Sequence, residues 1–241
     1  MKKICCLFIA LILLTVNSGG QDKRGIKVGM TSEQNLQALT NPSLYSTTAG
    51  FDERYAGVRG SPRMLDTLLP STVKLKGEES RFEVKTDIDV VRNTLLFVLP
   101  ASGDLLEVAS SWIEELIIHA GERDLLFRST EGLRFDRELK GIKFYQVLSE
   151  GPPMFIKIPG REFLEASYTG LYSPDKRYDE YVPDDRYYIM GSDSILQRVQ
   201  LTRKSLSRLF PSQSKLINSS FSEKSGEDPE QQVLVLLKKF Q

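Results

Sequence analysis

Residues 71–77 read STVKLKG and residues 81–90 read RFEVKTDIDV. In an extended chain Val73 and Leu75 fall on one side, and Lys74 and Lys76 on the other. Phe82, Val84, Ile88 and Val90 oppose Glu83, Lys85, Asp87 and Asp89 in the same way. A period of two sustained over these lengths is the pattern of strands with one wet face. The connections that follow are short, whereas parallel neighbours need crossovers of a dozen or more residues. The expected fold is therefore mainly β, in the α+β class. It is an antiparallel sheet, a sandwich or a partly closed barrel over residues 57–200, with a short helical tail packed on it over residues 201–241.

The strand texture continues along the chain. NTLLFVLPASGDLLEVA holds two apolar runs around a turn composition. In WIEELII, Ile113, Ile117 and Ile118 favour a strand against the helical preference of Glu114 and Glu115. RDLLFRS, IKFYQVLSEG and PMFIKIPGREFLEA read as further strands. Pro152 and Pro153 cannot donate ladder hydrogen bonds, so they belong in a turn or at an edge. Ser167–Asp185 has the Pro, Gly and Asp content of a loop. RYYIM and ILQRVQ then form a hairpin across Gly191–Ser194.

After Leu201 the period becomes helical. Thr202 is an expected N-cap, with Leu201 and Leu206 at the staple positions. Pro211 ends that stripe, and Ser212 is expected to cap a second helix. Asp228 at N-cap, Pro229 at N1 and Gln231 at N3 open a third, in which Val233, Leu234, Leu236, Leu237 and Phe240 form the apolar set.

The first 20 residues read MKKICCLFIALILLTVNSGG. Lys2 and Lys3, an apolar run from Ile4 to Val16, and small residues at Ser18 and Gly20 have the order of a secretory signal peptide. The run is short for a membrane span, which takes roughly 20 apolar residues. Residues 21–56 read as an extended polar leader. Cys5 and Cys6, the only cysteines, lie within the signal, so the mature chain is expected to have no disulfide, thiolate metal site or Cys nucleophile. The full chain carries 32 basic and 32 acidic residues, and loss of Lys2 and Lys3 leaves a small negative excess. No long basic run offers a nucleic-acid surface, and no second apolar stretch is long enough for a transmembrane segment.

Catalytic strings are few. Ser212-x-x-Lys215, Ser192-Asp193-Ser194 and Lys224-Ser225-Gly226 echo the motif set of serine β-lactamases. Their order is wrong, and each has a simpler reading as a hairpin turn, a helix start or a linker. His119 is the sole histidine, so neither a His-rich metal site nor a Ser-His-Asp triad is supported, and it reads as an exposed histidine at a strand end. Asp87 and Asp89 share one strand face, which suits a cation or simply a solvated surface. The expectation is no catalytic residue, no metal and no cofactor. The most informative feature is tyrosine: six of the nine in the chain, Tyr168, Tyr172, Tyr178, Tyr181, Tyr187 and Tyr188, lie between positions 168 and 188. Tyr offers rigid apolar area with a polar tip, which suits protein or sugar recognition. The alternative is a long loop folded over the sheet, its tyrosines covering an apolar face.

GVRGSPRMLD (57–66), IKFYQVLSEGPPMFIKI (142–158), the Tyr-rich loop and RYYIMGSDSILQRVQLTRKSLSRLFP (186–211) together resemble a group of uncharacterised exported proteins common in Bacteroidota. The resemblance implies a periplasmic or envelope-associated location in a Gram-negative bacterium and carries no activity with it. The function expected is that of a non-enzymatic interaction or structural module with an envelope protein as partner. The alternatives are a carbohydrate-binding module using the tyrosines on a glycan, and a carboxylate-dependent hydrolase, which needs two acids facing each other across a cleft.

Overall fold

A computed structural model describes residues 58–99, 102–166, 178–191, 193–221, 226 and 228–240. The strands are β1 (Leu69–Leu75), β2 (Arg81–Asp89), β3 (Thr94–Val98), β4 (Leu105–Ala109), β5 (Ile113–Ala120), β6 (Arg123–Ser129), β7 (Phe144–Ser149), β8 (Phe155–Ile158), β9 (Arg161–Leu164), β10 (Glu180–Pro183), β11 (Arg186–Met190) and β12 (Leu196–Val199). The helices are α1 (Arg203–Leu209), α2 (Ser214–Ser220) and α3 (Pro229–Lys238). Ten strands form one antiparallel sheet in the order β12-β11-β8-β7-β6-β5-β1-β2-β3-β4, and β9 and β10 form a separate ribbon. The protein is mainly β, as the alternation requires, and its large sheet is open rather than closed into a barrel.

The period-two pattern works as expected in β1, where Val73 and Leu75 are buried and the lysines lie outside. Register carries that inner face across the sheet, since Val73 faces Leu116 and Leu116 faces Phe127. With Val84, Ile88, Leu95, Phe97, Val108 and Ile118 these residues form the main core. The sheet curls around it, so that the turn after β4 meets the segment before β7, with Ser110 Oγ donating to Ile142 O at 3.1 Å.

Phe155 and Ile156 are consecutive in β8 and point to opposite faces, as strand geometry dictates. Phe155 and its register partner Ile189 meet the helices through Leu206, Ile217, Val233, Leu236 and Leu237. Ile156 and its partner Tyr188 pack on the other face against Leu133, Phe135 and Leu139 of the β6–β7 connection. That connection also shields the outer edge of β12, where Asp136 N donates to Leu196 O and Leu196 N to Arg134 O. Covering an edge in this way removes a template for unwanted strand pairing.

The tail follows its capping signals. Thr202 Oγ1 accepts from Ser205 N, and Asp228 accepts from Glu230 N at the start of α3. Leu201 and Leu206 both join the helix-side core. Ser212 departs from expectation: it lies exposed inside a 3₁₀ turn, Pro211–Gln213, and α2 begins only at Ser214 with no side-chain cap. Pro211 favours the tight turn at its own position and pushes the α-helix further on.

Three further expectations are corrected. PMFIKIPGREFLEA is two strands, β8 and β9, divided at Pro159–Gly160. Glu180–Pro183, expected within a loop, is strand β10 paired to β9. Asp87 and Asp89 share a face but are not solvated, because both are buried. The chain at Pro62–Leu65 lies against the end of β2, with Met64 N donating to Ile88 O and Val90 N to Pro62 O. Asp87 accepts from Arg63 Nε at 3.0 Å, Leu65 N at 3.1 Å and Ile88 N at 2.7 Å. Asp89 accepts from Val91 N and Arg92 N and closes the β2–β3 turn. Burial pushes both carboxyls up from their ordinary value, against the pull of these donors.

Candidate functional site

The β9–β10 ribbon stands apart from the ten-stranded sheet, and three of the large exposed apolar side chains among the described residues lie on it or just before β10. Phe163, Leu164 and Tyr178 are 43%, 44% and 51% exposed. Phe163 and Leu164 are consecutive in β9 and so point to opposite faces of the ribbon, which leaves apolar area exposed on both. Pro159 and Gly160 explain how the chain leaves the main sheet. Proline cannot donate to a ladder, and Gly160 passes so close to Asp184 that an added Cβ would sit 2.6 Å from its carbonyl oxygen. Asp184 N donates to Gly160 O, and Gly160 N donates to Asp185 Oδ1, so both ends of the ribbon are pinned at one point.

Within the ribbon Phe163 faces Tyr181 in register, their rings 5.1 Å apart. The other long side of β10 is met by the start of the described chain, where Arg59 N donates to Asp179 O and Tyr181 N to Arg59 O. The Arg59 guanidinium lies over the Tyr178 ring, 4.2 Å from its centroid. Gly60 follows with a φ of +71°, and a Cβ there would meet Tyr181 O at 2.8 Å, so this crossing requires glycine. Residues 59–65 therefore link the ribbon at Arg59 to the buried Asp87 at Arg63.

The six tyrosines separate into different roles. Tyr181 lies on β10, and Tyr178 lies just before it. Tyr168 and Tyr172 fall outside the described residues. Tyr187 turns towards the helices, and its hydroxyl donates to Glu230 Oε1 at 2.6 Å. Tyr188 is buried, packed edge-on against Phe135 with ring centroids 5.0 Å apart, and is out of reach of a partner. Sequence proximity grouped Tyr187 and Tyr188 with the loop tyrosines, but strand alternation sends them to the two covered faces of β11. Phe163 and Leu164 were not singled out by sequence reasoning. Their signal was present in REFLEA, an apolar pair between charges just after a Pro-Gly break.

Chemical alternatives can be judged against the geometry. Asp185, Asp228 and Glu230 line a cavity of about 410 Å³ between β11, β12 and α3. Each is already engaged. Glu230 accepts from Lys157 Nζ at 2.9 Å as well as from Tyr187, Asp228 caps α3, and Asp185 holds Gly160 N. These bonds anchor the helix to the sheet. Burial, then the contact with Glu230, raises the Tyr187 phenol far above its ordinary range, so it stays a donor.

His119, in β5, has more partners than expected. Its Nε2 lies 3.1 Å from Thr72 Oγ1 and its Nδ1 2.8 Å from Asp124 Oδ1. The order resembles a hydrolytic triad, but the nucleophile position is a threonine on a regular strand. Asp124 directly faces His119 in register, so a cross-strand pair with a neighbouring hydroxyl accounts for the arrangement. Among the described residues no group of three His, Cys, Asp or Glu is placed to hold a metal ion, and no helix is long and apolar enough to cross a membrane. No family model, curated protein or solved structure matches the chain.

Proposed function

We propose that this is a non-enzymatic, exported module of the cell envelope that binds a protein partner through the β9–β10 ribbon. The observation that carries the reading is the exposure of Phe163 and Leu164 on opposite faces of a ribbon outside the main sheet, with Tyr178 exposed just before β10. Aromatic and large apolar side chains on a polar background are the usual centre of a protein contact. The body offers a rigid support: three apolar cores hold the sheet, its helices and its long connection in place. The signal-like first 20 residues support export. The glycan reading is weaker here, because Arg59 already occupies one face of the Tyr178 ring and Phe163 has no polar tip.

The test is partner capture by a tagged protein in its native host. The triple variant F163S, L164S, Y178S should lose a stoichiometric partner that the parent retains, with thermal unfolding little changed. The variant V235S, at an exposed position on α3, should retain it. Undiminished capture by the triple variant would remove the ribbon from the account. Calorimetric titration with envelope glycans addresses the alternative, since saturable heat abolished by the same triple variant would favour a sugar.

A further inference from the structure

A second small cavity, about 140 Å³, lies where β8 passes into the ribbon. Its polar lining is Lys143, Arg161, Asp184 and Arg186, and its apolar wall includes Val90 and Ile158. The charges do not balance. Asp184 accepts from Arg186 Nε at 3.0 Å and from a second guanidinium nitrogen of the same residue, so its charge serves that pair. Arg161 donates to two backbone carbonyls, Gly160 O at 3.3 Å and Met64 O at 3.3 Å, which carry no formal charge. Among the described residues Lys143 has no carboxylate within ion-pair distance of its ammonium, although its side chain is half-buried. Burial and then the neighbouring Arg186 push its pKa down. Three cations thus converge on one small cavity that holds one carboxylate.

We propose that this cavity binds a small oxyanion, a phosphate or carboxylate group, held by Lys143, Arg161 and Arg186. Guanidinium groups suit the planar and tetrahedral oxygens of such anions, and an ammonium supplies a point charge beside them. The size argues the same way. Pockets for drug-sized ligands run from roughly 300 to 1,000 Å³, so this one suits a single anionic group rather than a sugar ring or a nucleotide. The site would also act at a junction, because Arg161 bonds the carbonyl of Met64 in the segment that leads to the ribbon. The inference is independent of the ribbon's partner.

The test is calorimetric titration of the whole mature protein with inorganic phosphate and, separately, acetate, against chloride at matched ionic strength. Saturable one-to-one binding of either anion is expected. Binding of phosphate over acetate would identify a phosphoryl ligand, and the reverse order a carboxylate. K143M should weaken binding at least about tenfold, since it removes one charge-assisted contact, while folding at least as stably as the parent without anion. R161K, which keeps the charge but loses the fork, should weaken it less. Heats no different from chloride, or saturable binding that is the same in K143M and R161K as in the parent, would overturn the proposal.

Discussion

Replacing Asp87 with alanine should uncouple the chain before β1 from the sheet, and the size of the effect follows from its contacts. The carboxylate side chain is fully buried, and that of Arg63 is 29% exposed. In the alanine variant the amides of Leu65 and Ile88 lose their acceptor, at about 1–3 kcal/mol for each buried orphaned donor. Arg63 can rehydrate, so it contributes less. The sum is about 3–5 kcal/mol, the range for removing one member of a buried pair. Against a typical stability of about 5–15 kcal/mol, this should lower the urea midpoint by about 1.5–2 M. Hydrogen exchange should locate the damage at Met64 and Leu65 first, ahead of global unfolding. Asp87→Asn keeps an acceptor for the two amides and should lose clearly less.

The pH dependence has a definite sign. Burial raises the folded-state pKa of Asp87 and Asp89 above the ordinary 3.8. For a raised pKa the stability contribution is complete below the unfolded value and is lost as pH rises through the folded one. The parent should therefore gain stability relative to the double variant D87N, D89N as pH falls from 7 towards 4. A flat difference, or one of opposite slope, would refute the reasoning, as would a D87A midpoint within 0.3 M of the parent, a limit set at about a fifth of the expected shift.

Other expectations can be tested with the same assays. Tyr187→Phe removes the 2.6 Å bond to Glu230 and should cost about 1–2 kcal/mol. Glu230→Ala, which leaves Lys157 only its 4.0 Å contact with Asp185, should cost about 2–4 kcal/mol and raise proteolysis at residues 229–238. Gly60→Ala places a methyl against Tyr181 O at a positive φ and should cost about 1–3 kcal/mol. Limited proteolysis near Arg59 should report it before global unfolding does. Phe127→Ala, in the centre of the main core, should cost about 3–5 kcal/mol, while Val235→Ser should lie within about 0.5 kcal/mol of the parent.

The sequence was most informative where structure is local. Alternation placed Val73 and Leu75 inside and Lys74 outside, the Gly191–Ser194 turn marked the last hairpin, and Thr202 and Asp228 cap their helices as their side chains suggest. Each of these depends on a few neighbouring residues. What could not be read depends on distant partners. Asp87 looks like any strand carboxylate until Arg63 and Leu65, more than twenty positions away in sequence, are brought to it. Tyr178 and Tyr188 are ten positions apart but opposite in exposure, because a face of β11 is covered by Phe135 from the β6–β7 connection. The candidate site was only half legible for the same reason. The tyrosine cluster overlaps the ribbon region only at Tyr178 and Tyr181 among the described residues, and the exposure of Phe163 and Leu164 follows only from β9 leaving the main sheet at Gly160.

Site-specific photo-cross-linking in the native host tests the central claim most directly. A photoreactive residue would replace Phe163, Tyr178 or, as a control on the helical side, Val235. The ribbon account predicts one discrete protein adduct from positions 163 and 178 and none from 235. Adducts of equal yield at all three positions, or none from the ribbon in intact cells, would contradict it.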